Sequence, residues 1–153
     1  MLEKILDIND IIFGEKLEDV EYFERPAVYG IVFNSDGKIA TIKTPRGYFL
    51  PGGGIEKNEN HKQCLEREFM EETGYEIDFG NYIGKSSLYH KSKSNRYIFS
   101  IGFFYYAELK NKKNNGIEED HELVWLEPNE CINNLNLEHQ SWAVTKALNK
   151  NKQ

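Results

Sequence analysis

Apolar residues recur at strand-like spacing in some segments and at helical spacing in others, and this pattern predicts several strands and two separated helices. Two apolar runs rich in β-branched residues, Ala27 to Phe33 and Ile39 to Ile42, flank the turn sequence Asn34-Ser-Asp-Gly37, which is typical of a β-hairpin. Two longer stretches follow, Tyr75 to Tyr89 and Arg96 to Leu109, and the second is the most aromatic part of the chain. Because β-branched and aromatic residues favour strands, these segments are expected to supply most of a sheet.

Two other segments have the features of helices. Asn60 and Gln63 fit a helix-capping box, and Gly74 is a natural helix terminator, so a helix is predicted over residues 60–73. A second, amphipathic helix is predicted over Glu138 to Lys150. Its apolar residues fall at helical spacing on one face: Trp142, Val144 or Thr145, and Leu148.

Shorter elements complete the predicted fold. Tyr48 to Leu50 is a short strand, and the proline and glycines of Pro51 to Gly54 predict a loop after it. Leu123 to Leu126 is a further strand, which Glu127-Pro128 ends. Strands mixed with two separated helices indicate an α/β sandwich with a mixed sheet, and the length of 153 residues predicts a single domain, 1–153.

Charge and cysteine content narrow the classes of function. A net charge of −6 and a pI near 5.3 argue against broad binding of a nucleic-acid backbone, although a divalent cation would still let an acidic protein bind a polyphosphate. Cys64 and Cys131 form no Cys-x-x-Cys pair and are expected to be reduced, ordinary residues. Met1 to Asp10 does not resemble a signal peptide, and no stretch approaches about 18 continuous apolar residues, so a cytoplasmic protein without a membrane span is expected.

An acidic face on the first predicted helix carries the candidate chemistry. At about 100° per residue, Glu68, Glu71 and Glu72 span roughly 100° of the helix circumference and project from one side. Hard oxygen ligands of this kind suit Mg²⁺, whereas an ordinary solvated acidic helix face is the alternative. The glycines at 52–54 favour the metal interpretation, because a permissive backbone just before the helix can direct a carbonyl toward a bound metal.

The spacing of these residues resembles the Nudix box of the Nudix hydrolase superfamily, G-x5-E-x7-R-E-U-x-E-E-x-G-U, in which U is a bulky apolar residue. The seven fixed positions match: Gly53, Glu59, Arg67, Glu68, Glu71, Glu72 and Gly74. Phe69 fits the first U position, whereas Tyr75 is aromatic where an aliphatic residue is usual. The resemblance implies a Nudix-type α/β/α sandwich with a mixed sheet.

The resemblance also implies an activity and a set of roles. The expected activity is Mg²⁺-dependent hydrolysis, with Mn²⁺ as the alternative cation, of a phosphoanhydride bond in a nucleoside diphosphate linked to another moiety. Glu68, Glu71 and Glu72 would be metal ligands and the carbonyl of Gly52 a further one. Arg67 would orient a carboxylate and pair with Glu59.

Several assignments stay open at the level of sequence. The general base would be Glu68 or Glu72, or an acid near the Leu123 strand, for which Glu122 and Glu119 are the candidates. Arg46, just before the glycines, is the best candidate for a phosphate contact, because its planar fork suits phosphate. The four histidines show no paired metal spacing, and none is assigned to the site: His61, His90, His121 and His139.

Other functions are compatible with the same fold. A binding module for a nucleotide metabolite would share the fold without catalysis, although loss of box carboxylates would be expected there and all are present. An isomerase of allylic diphosphates would need catalytic cysteine and glutamate motifs that Cys64 and Cys131 do not match. RNA decapping would favour a basic stripe, which the chain lacks. The leaving group and the oligomeric state stay open.

Overall fold

The computed structural model describes residues 10–115 and 119–151, and these residues form two β-sheets and three helices. The strands in chain order are β1 (Ile11–Phe13), β2 (Phe23–Ile31), β3 (Ile39–Thr44), β4 (Gly47–Phe49), β5 (Gly52–Gly54), β6 (Tyr75–Lys91), β7 (Tyr97–Lys112) and β8 (Glu122–Leu126). The helices are α1 (His61–Thr73), α2 (Pro128–Asn134) and α3 (Glu138–Asn151). The amino-terminal stretch 1–9 and Glu118 of the acidic run lie outside the described residues.

The larger sheet is mixed, as the sequence predicted. Its order is β1-β6-β7-β2-β5. Strand β1 runs parallel to β6 and β2 runs parallel to β7, whereas β6 with β7 and β2 with β5 are antiparallel. A smaller antiparallel sheet, β4-β3-β8, lies beside it.

Alternation along β2 divides the interior into two cores, one on each face of the larger sheet. Ala27, Tyr29 and Ile31 belong to a core with α2 and α3, whereas Val28 and Val32 belong to a core with α1. Successive strand residues point to opposite faces, so a single strand can serve both cores. The result is the predicted α/β/α sandwich, with α1 and α3 on opposite faces of a mixed sheet.

Helix α1 packs unusually close to β2, because Gly30 has no side chain. A Cβ atom at Gly30 would lie 2.7 Å from Cε1 of Phe69, and Phe69 is fully buried. This close approach fixes the helix that carries the acidic residues at a short distance from the sheet.

The ends of α1 confirm the capping prediction. The Asn60 side chain accepts from the Gln63 backbone N–H at 2.8 Å, and the Gln63 side chain accepts from the Asn60 N–H at 3.0 Å. Gly74 ends the helix with φ of 76°, in the left-handed region. In α3, Val144 is buried and Thr145 is exposed, so Val144 is the residue that faces the core.

The predicted hairpin between residues 27 and 42 was wrong in one respect. The turn is present: Gly37 has φ of 78° and its N–H donates to the Asn34 carbonyl at 3.0 Å. The flanking strands then diverge into different sheets and stay joined by the Phe33–Ile39 bridge and the hydrogen bond from Ala40 N–H to Val32 O. Each strand gains a partner that is distant in sequence, since β2 pairs with β7 and β3 with β8.

Other local predictions also needed correction. The predicted loop at the glycines is partly a strand, since β5 pairs with β2 and places Gly52 opposite Tyr29. The two short elements β1 and α2 were missed, because three residues and seven residues carry little periodicity. Proline 128 does end β8 but also begins α2, where its missing N–H costs nothing.

Two expectations from the sequence concern the cysteines and a membrane span. Cys64 and Cys131 are both free and buried. Burial raises the pKa of the Cys64 thiol to about 11 and that of Cys131 to about 12. Among the helices in the described part of the chain, none has the length and apolar content to cross a membrane.

Candidate active site

A cleft with a volume of about 450 Å³ lies between residues of β2, β5 and α1 and the turn after β6. Glu68, Glu71 and Glu72 of α1 lie along one wall, together with Gly52 and Gly53 of β5. The structure therefore brings together all of the residues that the sequence assigned to a metal. We call this side of the cleft the acidic wall.

Arg67 organises the acidic wall through its guanidinium. Nη1 donates to Glu68 Oε1 at 2.9 Å and to Glu71 Oε2 at 3.2 Å. Nε and Nη2 donate to the two carboxylate oxygens of Glu59 at 2.6 and 2.9 Å. One arginine thus offsets the repulsion between carboxylates that share a helix face.

The Glu59–Arg67 pair ties the segment before α1 to the helix. Nη2 of Arg67 also donates to the Gly54 carbonyl at 3.0 Å, and Glu59 Oε1 accepts from the Glu56 N–H at 2.8 Å. The hydrogen bonds from Arg67 and then from the Glu56 backbone lower the pKa of Glu59 to about 2. These bonds also raise the pKa of Arg67 above its ordinary value, so the pair stays charged.

Gly53 leaves the space that the Glu68 carboxylate occupies. A Cβ atom at Gly53 would lie 2.6 Å from the carboxylate carbon and Oε1 of Glu68. Burial raises the pKa of Glu68, while the hydrogen bond and charge of Arg67 and the charge of Arg25 act in the opposite direction. The Glu68 carboxylate is more enclosed than that of Glu71, since 15% of the Glu68 side chain is exposed against 53% for Glu71.

Glu72 is fixed to β5 instead of to Arg67. Its Oε1 accepts from the Gly52 backbone N–H at 2.8 Å. Gly52 has φ of 143°, a conformation that L side chains rarely adopt. The sequence predicted that the Gly52 carbonyl is a metal ligand, and that role stays a prediction, since the contact seen here uses the N–H.

The donor set of the acidic wall fits a hard divalent cation. Glu68, Glu71 and Glu72 offer carboxylate oxygens only, the ligand type that Mg²⁺ prefers. Within residues 10–115 and 119–151, no three His, Cys, Asp or Glu side chains stand in the geometry of a metal site.

A second wall of the cleft is basic and polar. Arg25 of β2 lies there with His90 and Ser100, and His90 Nε2 is 2.8 Å from Ser100 Oγ. Exposed cations complete this side of the cleft: Arg46, Lys91 and Lys93. We call it the basic wall.

Comparison with known sequences identifies the family. The profile of the NUDIX domain matches residues 23–148. The chain belongs to this family. The Nudix box therefore corresponds to the segment from β5 through α1 to the first residue of β6, and it forms the acidic wall.

Solved Nudix structures share the fold at low sequence identity. The NUDIX hydrolase from Nitrosomonas europaea matches with a TM-score of 0.70 and 17% identity, covering 84% of this chain and 90% of that chain. The MutT protein from Methanosarcina mazei matches with a TM-score of 0.64 and 20% identity, covering 88% and 100%. An ADP-ribose pyrophosphatase from Streptococcus suis matches with a TM-score of 0.64 and 16% identity, covering 84% and 92%. No curated protein sequence matches the chain significantly.

Outside the Nudix box, one predicted site residue lines the cleft and two do not. Arg46 does line the cleft, with its guanidinium 5.6 Å from the Phe49 ring centre. Glu119 and Glu122 are exposed, and the described residues that line the cleft include His121 but neither of these glutamates. A catalytic role for Glu122 stays a prediction.

Arg25 and Gln140 are two of the cleft residues that the sequence did not reveal. Arg25 lies four residues before Tyr29 on the same strand face, and Gln140 lies in the first turn of α3. Neither belongs to a motif. A polar residue at a strand position that alternates with core residues was the one available signal for Arg25.

Proposed function

We propose that this chain is a Nudix pyrophosphohydrolase that uses Mg²⁺, with Mn²⁺ as the alternative cation, to cleave a phosphoanhydride bond in a nucleoside diphosphate linked to another moiety. The observation that carries the proposal is the cleft itself. Glu68, Glu71 and Glu72 line it together with Arg25 and Arg46. A substrate with several phosphate oxygens matches a cleft that holds both cations and cation-binding carboxylates.

The proposed division of labour follows from the contacts of each residue. Glu68, Glu71 and Glu72 would hold the cation, which when bound neutralises phosphate oxygens and lowers the pKa of a coordinated water. Arg67 is a positioning residue, because its contacts are with Glu59, Glu68 and Glu71 and fix where those carboxylates lie. Such supporting contacts orient metal ligands without touching the substrate.

Two further roles concern the water and the phosphate. Glu68 and Glu72 are the candidates on α1 for the base that takes a proton from the attacking water, and Glu122 is the candidate outside the box. Arg46 would contact a phosphate group from the opposite side, since it is exposed within the cleft and its fork suits phosphate oxygens. The likeness to an ADP-ribose pyrophosphatase supports the reaction class and leaves the leaving group open.

The test removes single charges from the acidic wall. We expect Glu68→Gln and Glu72→Gln to lower Mg²⁺-dependent turnover by roughly 100-fold or more, because each removes a ligand for the cation or a base. A matched control is Glu66→Gln, since Glu66 lies on the same helix but makes an exposed ion pair with Lys62. Turnover is measured on a panel of nucleoside diphosphate compounds with Mg²⁺ or Mn²⁺, and mass spectrometry identifies the products.

The outcomes separate the proposed enzyme from the binding module. Full activity in both variants would show that the acidic wall takes no part in the reaction. Binding of nucleotides by the wild-type protein without turnover of any compound would support a non-catalytic module. Circular dichroism and thermal unfolding of each variant show whether the fold is retained.

A further inference from the structure

The turn between β3 and β4 brings an exposed arginine to the cleft. Thr44 and Gly47 are partners in the antiparallel ladder, so Pro45 and Arg46 alone form the loop. Thr44 and Arg46 both line the cleft, and Arg46 is exposed. The Arg46 guanidinium takes part in none of the ion pairs between described residues. Its charge is therefore available to a ligand in the cleft.

The backbone of this turn differs from the conformations that usually close a two-residue hairpin. Those conformations need a positive φ at the first loop residue, whereas proline fixes φ at about −65°. Arg46, the second loop residue, is not among the residues with positive φ. A proline followed by such a residue is typical of a type I turn, which splays the strands that it joins. The hairpin therefore needs a further contact to hold its shape.

The Thr44 hydroxyl supplies that contact. Its Oγ1 accepts from the Arg46 backbone N–H at 3.0 Å and donates to the Gly47 carbonyl at 3.2 Å. Gly47 has φ of 125°, a value that glycine adopts readily and L side chains rarely adopt. One hydroxyl thus spans the turn and fixes the backbone from which the Arg46 side chain leaves.

Neighbouring elements hold the same turn from outside. The Arg46 guanidinium lies 5.6 Å from the Phe49 ring centre, within the range of a cation–π contact. The Asn136 N–H donates to the Tyr48 carbonyl at 2.9 Å. A Cβ atom at Gly47 would lie 3.4 Å from Cβ of Asn136. The turn is therefore packed between the Phe49 ring and the segment before α3.

We propose that Thr44 is a positioning residue, whose hydroxyl holds the turn in the conformation that directs the Arg46 guanidinium at a phosphate group of the substrate. A group that is fixed before binding loses less conformational freedom when the ligand arrives, so the contact becomes stronger. This inference rests on the proposed function, in which Arg46 contacts phosphate. Thr44 acts through Arg46 and not on the reacting atoms, so its effect belongs to KM more than to kcat.

Binding of a phosphate analogue tests this role apart from catalysis. The probe is methylenediphosphonate, whose P–C–P link is not hydrolysed, measured by calorimetry with the whole chain and saturating Mg²⁺. Arg46→Gln should weaken binding roughly 10-fold, because it removes charge-assisted hydrogen bonds. Thr44→Val, which has the same shape without the hydroxyl, should weaken it roughly 5-fold. Thr44→Ser keeps the hydroxyl and should restore binding to near the wild-type value.

A double variant separates positioning from a general loss of structure. Adding Thr44→Val to Arg46→Gln should weaken binding further by less than about 2-fold, because the hydroxyl has no guanidinium left to position. A matched control is Thr145→Val, since the Thr145 hydroxyl bonds to the Ser141 carbonyl on the exposed side of α3, outside the cleft. This control should bind the probe like the wild type. Circular dichroism checks that each variant is folded.

Several results would overturn the proposal. Wild-type affinity in Thr44→Val would do so, as would equal weakening by Thr44→Val in the presence and the absence of Arg46. Failure of the wild-type protein to bind the probe would also overturn it. In turnover measurements, Thr44→Val should raise KM with kcat nearly unchanged, and the opposite result would contradict a role in binding. If the wild-type protein turns over no compound, the proposed function fails, whereas the coupling between Thr44 and Arg46 is still measured with the probe.

Discussion

The two walls of the cleft are built in opposite ways. The acidic wall comes from one continuous segment, in which Arg67 reaches back eight residues to Glu59 and forward to Glu68 and Glu71. The other side is assembled from β2, β4, the β6–β7 turn and the start of α3. A contiguous segment can carry a recognisable spacing, whereas an assembled surface cannot.

The walls also differ in how their polar groups are held. Arg67 makes hydrogen bonds to Glu59, Glu68, Glu71 and the Gly54 carbonyl. On the other wall, Arg25 donates to the Tyr29 hydroxyl and Gln140 accepts from the Leu50 N–H. Carboxylates that share one arginine hold their geometry in advance, which a reaction centre requires.

Two neighbouring glycines allow the Glu68 carboxylate to be displaced with a control on the same strand, and here the largest effect is expected. A methyl group at Gly53 would meet the Glu68 carboxylate at 2.6 Å, whereas one at Gly54 would lie 3.7 Å from the Arg25 guanidinium, an ordinary contact. We expect Gly53→Ala to lower kcat on the order of 100-fold, since a catalytic group displaced by about 1 Å can cost that much. Gly54→Ala is the matched control and should retain most of the activity. Similar losses in both variants would mean that the strand, and not the Glu68 position, is at fault.

Removing Arg67 should expose the electrostatic role of the acidic wall. Arg67→Gln leaves Glu59, Glu68 and Glu71 without their shared cation, so we expect a loss of about 1–3 kcal/mol in the free energy of unfolding. This is below the value for a fully buried pair, because 22% of the arginine side chain is exposed. Urea unfolding with and without saturating Mg²⁺ measures the effect.

The cation should recover part of the stability lost in Arg67→Gln, since it would neutralise the same carboxylates. Lys62→Gln is a suitable control, because its ion pair with Glu66 on the same helix is exposed and is expected to contribute about 0.5 kcal/mol or less. An Arg67→Gln protein as stable as the wild type would show that the carboxylates do not need a positive partner.

The acidic wall could be predicted from sequence because its determinants are local. Asn60 and Gln63 fix the start of α1, Gly74 fixes its end, and the helical repeat then places Glu68 and Glu72 on one side. Every one of these relations lies within about fifteen residues. The same locality explains why the capping box was predicted correctly in atomic detail.

The remaining structure depends on pairings that local pattern does not encode. Residues 27 to 42 look like one hairpin, yet β2 pairs with β7 and β3 with β8, and both partners are more than sixty residues away. Arg25 and Gln140 approach each other only after β2 and α3 pack on the same face of the sheet. A single polar residue in an apolar strand does not indicate which element will cover it.

His139, which is buried against the rings of Tyr29 and Phe104, allows a more selective test. Burial, followed by the charges of His90 and Arg25, lowers the pKa of His139 from 6.5 to about 3. The unfolded chain therefore binds the proton more readily than the folded chain. The contribution of His139 to stability is fully present above pH 6.5 and is lost as the pH falls toward 3. A group whose pKa is lowered in this way changes the free energy of unfolding by about 1.4 kcal/mol per pH unit within that range.

We expect His139→Leu to reduce this slope between pH 6.5 and 4, as measured by urea unfolding at several pH values. Because the carboxylates titrate alike in both proteins, the difference between the two curves isolates His139, and parallel curves would show that its ring gains a proton without unfolding.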